Sequence, residues 1–253
     1  MYVSKNKLKL LQKRKKNPVE TAELRRFDKV LSVPAGLTIR PALETILEME
    51  ERQPVELFRF DFSDSAVFLR GEELVAQLKK NFHGYLFGAF AVSPEPSLID
   101  RAYAAGLDLI QIPLTGEDSR QWAALNYART VFPAWSVIAL LPVPSQNQQL
   151  LKILLQRGII PLIDLQQVSP EESDKVLEAA FNQLLHSWQN HRVPLSPLYP
   201  LLESTTPLIP PPRPHGIGGL IKRMDDARQR TGLDLRRLLR VRGVADSFES
   251  AGL

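Results

Sequence analysis

Through the middle of the chain, short apolar runs rich in β-branched and aromatic residues alternate with stretches whose apolar positions recur every three or four residues. Val55–Phe62 (VELFRFDF) reads as a strand, with Pro54 before it and Ser63, Asp64 and Ser65 after. Gly71–Asn81 then spaces Leu74, Val75 and Leu78 at helical intervals. Tyr85–Val92 (YLFGAFAV) is almost wholly apolar, as a strand covered on both faces must be. Ser97–Ala105 is the next helix, ended by Gly106, where a helix C-terminus favours a left-handed residue. Leu107–Leu114, Trp135–Leu141 and Ile159–Leu165 follow as strands, separated by helices at Asp118–Val131 and Gln146–Gln156. Ser169 followed by Pro170, Glu171 and Glu172 reads as a helix start, and that helix runs to about Gln189. Val193–Tyr199 (VPLSPLY) is a candidate sixth strand, demoted to an edge or extended segment by its two prolines.

Strand–helix units of roughly 25 residues predict βαβ connections and a parallel sheet. Their even repetition, with no dinucleotide fingerprint after the first strand, favours a parallel (β/α) barrel over an open doubly wound sheet. The expected fold is therefore α/β: a partial barrel of about six strand–helix units over residues 54–200. Residues 1–53 form a basic arm and a leading helix at Pro41–Glu51. Residues 201–253 hold an irregular proline-rich stretch, 200–215, and two basic helices at Gly219–Arg230 and Leu233–Arg242.

The barrel order resembles that of radical SAM enzymes. The segment Ser93–Asp108 (SPEPSLIDRAYAAGLD) and the segment Gln156–Ile163 (QRGIIPLI) are similar to stretches of biotin-synthase-like members and of other barrels, in which Ala-Gly commonly closes a helix before an apolar strand. The resemblance covers residues 54–200 and implies a loop at Ser63–Arg70 carrying three cluster cysteines, and a glycine-rich SAM turn after the second strand. This chain has no cysteine, and Ser93-Pro94-Glu95-Pro96 stands at the second place. The resemblance thus implies a barrel without the radical chemistry, used for binding or as the partner of an active relative.

Composition narrows the chemistry further. Without cysteine there is no disulfide, no zinc–thiolate site, no thiol nucleophile and no cysteine-ligated iron–sulfur cluster. No apolar run reaches the 18 residues of a membrane span, and the N-terminus lacks the apolar core of a secretory signal. The expectation is a soluble cytoplasmic protein. The net charge of +4 conceals an asymmetry. Residues 1–16 hold seven basic side chains and no acid, and residues 219–243 hold eight basic side chains against three aspartates. Between 17 and 218, 17 basic residues face 23 acids, a balance of −6. The basic ends suit an acidic partner protein, self-association or contact with an anionic membrane surface, for which Leu8, Leu10 and Leu11 give the N-terminal arm only a narrow apolar face. Nucleic acid is a further candidate, though neither end interleaves aromatics for base stacking.

In a parallel barrel the loops after the strands converge on one rim. The candidate ligand-binding residues there are Asp61, Ser63, Asp64, Ser93, Glu95, Thr115, Asp164 and Gln166, with Asp118 also at the rim. Acids in such places equally serve as helix caps, the simpler reading for Asp64, Glu95 and Asp118. Asp61 and Asp164 lie inside apolar runs, where a carboxylate needs a partner such as Arg59 or Arg40 or a functional role. A second candidate is an anion site made by His215, Gly216, Gly218 and Gly219 ahead of Lys222 and Arg223. The four histidines form no ligand set, and no nucleophile elbow is present.

Three functions follow. The first is a non-catalytic or accessory barrel that binds a partner protein or a small anionic ligand. The second is a barrel enzyme acting on a phosphorylated or carboxylated metabolite through Asp61, Asp164 and the 216–219 loop. The third is a nucleic-acid-binding protein working through its basic termini.

Overall fold

A computed structural model describes residues 1–14, 23–116, 118–143, 148–165, 173–211, 231 and 235–239. It contains two compact units, Met1–Pro210 and Pro211–Leu253. In the first unit a two-residue strand β1 (Tyr2–Val3) precedes helix α1 (Lys5–Arg14). A hairpin of β2 (Arg25–Phe27) and β3 (Val30–Ser32) leads into α2 (Ile39–Arg52). The repeat then runs β4 (Leu57–Phe62), α3 (Ser65–Asn81), β5 (Tyr85–Phe90), α4 (Pro96–Ala105) and β6 (Leu109–Pro113). It continues with α5 (Ser119–Val131), β7 (Val137–Leu141), α6 (Gln148–Gln156), β8 (Ile159–Ile163) and α7 (Asp174–Asn190), the last capped by Ser173. The helix start read at Ser169 lies outside the described residues.

The seven strands β2 to β8 form one sheet in strictly sequential order, and every pair from β3–β4 to β7–β8 is parallel. Each crossover therefore moves one place in the same direction. With the fixed right hand of βαβ units, this puts the helices on one face. Their packing agrees: α2 lies against α3, α3 against α4, α4 against α5, and α6 against α7. No ladder joining β8 to β2 is found among the described residues.

About six strand–helix units are present, displaced by one from their expected positions. The first is β3–α2, ahead of the run read as the first strand, and the last is β8–α7. The hairpin that begins it was hidden because its strands are three residues long and open with Arg25 and Arg26. Asp28 makes its two-residue turn at φ 52°, a left-handed conformation that aspartate tolerates. Arg26 then turns away from the sheet and donates to Met49 O at 2.8 Å and Gln53 O at 2.7 Å, capping the C-terminus of α2.

The sixth expected strand is not one. Ser196–Leu198 forms a 3-10 turn that runs into helix α8 (Tyr199–Thr205). Pro194 and Pro197 supply no N–H for a ladder, and proline is well placed in a first helical turn. The stretch after it is also more ordered than an irregular segment. Strand β9 (Leu208–Ile209) pairs antiparallel with β1, and α8 packs on β3. The N-terminal arm is consequently a docked element. Leu8 is 1% exposed, Ser4 N donates to Pro207 O at 2.9 Å, and Lys5 Nζ lies 3.1 Å from Glu178. Lys7 Nζ donates to Leu208 O at 3.0 Å; burial lowers its pKa, opposed by the charge of Glu203. No helix among the described residues is long and apolar enough to cross a membrane.

Candidate functional site

Strand pairing fixes which side chains share a face. On β4, Phe58, Phe60 and Phe62 alternate with Leu57, Arg59 and Asp61. Phe58 meets Phe82 beyond α3, and Phe62 meets Phe68 within it, with ring centroids 5.6 and 5.1 Å apart. The phenylalanines therefore point into the helix layer. Arg59 and Asp61 point to the other side.

That second face can be traced across the sheet through the register. Arg59 pairs with Phe87 and Asp61 with Ala89; Ala89 in turn pairs with Gln111, and Gln111 with Ile138. Ile138 continues to Ile160 and Leu140 to Leu162. On the near side Ser32 pairs with Arg59 and with Arg25. The face is mostly apolar, and its polar residues gather on β2 to β6.

The Arg59 guanidinium grips Asp61 through Nε, at 3.0 and 3.1 Å from its two oxygens, and through Nη2 at 2.7 Å. Arg40 binds Glu44 instead, at 3.3 Å. Arg59 is thus the partner that the apolar setting of Asp61 demanded. The Asp61 side chain is still 56% exposed against 24% for Arg59. Asp61 therefore presents its carboxylate to solvent at the strand's end, and the Arg59 Nη1 edge carries no hydrogen bond to a described residue.

One further polar side chain stands on this face, and another lies in the loop after β5, both with unmet hydrogen-bonding capacity. Gln111, 9% exposed, makes no side-chain hydrogen bond to a described residue. Ala89 separates it from Asp61, so the two polar groups flank a single methyl two strand spacings apart, about 10 Å. Ser93 lies in the loop after β5, and its Oγ is buried with no hydrogen-bond partner. Buried polar groups are nearly always satisfied, so the Ser93 hydroxyl marks a place where water or a ligand group completes the bonding. Arg59, Asp61, Ser93 and Gln111 form the candidate site. It offers guanidinium and amide donors, a hydroxyl and a carboxylate.

Among the other rim candidates, Ser63, Asp64, Thr115 and Asp118 have structural duties. Asp64 caps α3: its Oδ1 accepts from Val67 N at 2.9 Å and its Oδ2 from Ser63 Oγ at 2.9 Å. The bond from the Val67 N–H, with that from Ser63 second, holds its carboxyl below the usual aspartate range. Asp118 caps α5 by accepting from Arg120 N at 2.8 Å. Glu95 occupies the N-cap of α4 without a side-chain cap bond, and its carbonyl receives Leu98 N and Ile99 N. Thr115 is tied to Gln121, whose Oε1 accepts from Thr115 N at 2.7 Å. Asp164 follows β8, its backbone N–H donating to Leu141 O at 2.8 Å. Gln166 lies outside the described residues. So do His215, Gly216, Gly218, Gly219, Lys222 and Arg223, the whole expected anion site. Tyr199, the last residue of the expected sixth strand, begins α8, where burial raises its pKa. Among the described residues no group of three or more histidines and acids is placed to hold a metal ion.

Gln111 is the residue that reading strand ends missed. Its signal was present in the sequence: one polar side chain inside the apolar run of β6, LIQIP. Compared with known proteins, the chain matches no family model and no curated protein.

Proposed function

We propose that the chain is a binding protein whose sheet curls into a partial parallel barrel. A small carboxylated ligand lies at the mouth between β4 and β6. The carrying observation is the placement of Gln111, which makes no side-chain hydrogen bond to a described residue, on the face of the sheet that holds Arg59 and Asp61, with the buried, unpartnered hydroxyl of Ser93 in the loop that follows β5. A ligand carboxylate fits the Nη1 edge of Arg59, since guanidinium recognises carboxylates through paired donors. A hydroxyl or amino group on the same ligand fits Asp61, and Gln111 and Ser93 complete the rest.

Curling is supported by burial on the face away from the helices. Phe87, Leu109, Ile138, Ile160 and Leu162 are all at most 3% exposed. A sheet that bends over its own face buries such residues without a second helix layer. The one-way strand order is also that of a barrel. Binding is favoured over acid–base chemistry because Arg59 already engages both oxygens of Asp61.

The test is a thermal-shift screen of small mono- and dicarboxylates, phosphates, S-adenosylmethionine and divalent metals. A ligand at about 100 times its Kd should add roughly 2.7 kcal/mol. We expect a carboxylate to stabilise the wild-type chain, with the gain lost in Arg59→Met and Gln111→Leu. Stabilisation that survives in both variants would overturn the assignment.

A further inference from the structure

The C-terminal unit carries a helix turned inside out. Residues 235–239 are helical. Their exposed side chains are Leu235 at 58%, Leu238 at 61% and Leu239 at 63%, while Arg237 is only 7% exposed. At 100° per residue the three leucines span an arc of about 100°, with Arg237 on the opposite side. Such a stripe normally faces a core. Here it is exposed, with Arg236 beside it, and in the sequence Arg240 and Arg242 follow closely. The surrounding segment, 219–243, holds eight basic side chains against three acids.

We propose that this leucine face docks on an anionic lipid surface, the leucines entering the interface and the arginines meeting acidic headgroups. Apolar width together with positive flanks is the composition of interfacial helices. The competing occupants fit less well. Nucleic acid would use the arginines and leave three leucines in water. A second copy would set one strongly basic segment against another. An acidic protein groove satisfies both features, and the test separates it. The N-terminal basic segment is a weaker candidate, because Leu8 is buried and Lys5 and Lys7 are engaged by Glu178 and Leu208.

The experiment is co-sedimentation of the full chain with vesicles of phosphatidylcholine alone or mixed with phosphatidylglycerol, at low and high salt. The proposal expects binding to the mixed vesicles only, weakened by salt. It expects a loss of about tenfold or more when Leu235, Leu238 and Leu239 are all changed to serine, a substitution that leaves the charge unchanged. Because those leucines are exposed, the variant should keep the wild-type melting transition. Failure to bind the mixed vesicles, or equal binding by the triple variant, would overturn the proposal. So would capture by a polyglutamate resin without vesicle binding, which would assign the face to an acidic protein.

Discussion

Asp108 is the buried carboxylate on which the lower end of the sheet depends. Its side chain is 3% exposed and lies 3.0 Å from Lys79 Nζ, whose own side chain is 22% exposed. Its second oxygen accepts from Leu86 N at 3.0 Å, and its own N–H donates to Leu86 O at 2.8 Å. One residue thus ties the start of β6 to β5 and to α3. Truncating one partner of a buried ion pair costs about 3–5 kcal/mol. Lys79 can turn partly to water, which lowers the expectation for Asp108→Ala to about 2–4 kcal/mol. Asp108→Asn keeps an acceptor for Leu86 N but loses the charge, and should cost about 1–2 kcal/mol. Urea unfolding followed by far-UV circular dichroism measures both. The Lys79→Met and Asp108→Ala changes should be non-additive, since each removes the other's partner. Both Asp108 variants falling within about 0.5 kcal/mol of wild type would mean that the buried ion pair does not hold this end of the sheet.

Two other consequences can be checked on the same protein. Because hydrogen bonds to its ionised form lower the Asp64 pKa, its contribution to stability is present above the unfolded carboxylate pKa of about 3.9 and is lost as pH falls through the lower folded value. The melting temperature of Asp64→Asn should therefore approach that of wild type as pH drops below about 4, and a gap constant with pH would contradict this. Leu8→Ala should cost about 2–5 kcal/mol in urea unfolding, because Leu8 is 1% exposed; a neutral result would return the N-terminal segment to the status of a free arm.

The parts of this architecture legible in the sequence are those with a local cause. Strands β5, β6 and β8 are buried at every position, so their apolar runs stood out. Gly106, at φ 119°, ends α4 where a left-handed residue was expected. The hairpin β2–β3 was illegible because three-residue strands carry too little period, and Arg26 serves a helix end rather than the sheet. The segment after Asn190 misled for a different reason: β9 exists through its pairing with β1, some 200 residues distant in sequence. At the site, Asp61 could be picked out because a carboxylate in an apolar run needs an explanation. Gln111 could not be joined to it, because only the parallel register places Ala89 between them.

The proposed site requires that Asp61, at the end of β4, be open to a ligand on the face away from the helices, while the alternate positions lie beneath the helices. The chain has no cysteine, so single introduced cysteines report this without background. Asp61→Cys should alkylate readily under native conditions, and Ile112→Cys, at a position 0% exposed and on the helix side of β6, about a hundredfold more slowly. A carboxylate that stabilises the wild-type chain should slow labelling at position 61 and leave position 112 unchanged. Equal labelling rates at the two positions, or faster labelling at 112, would contradict the account.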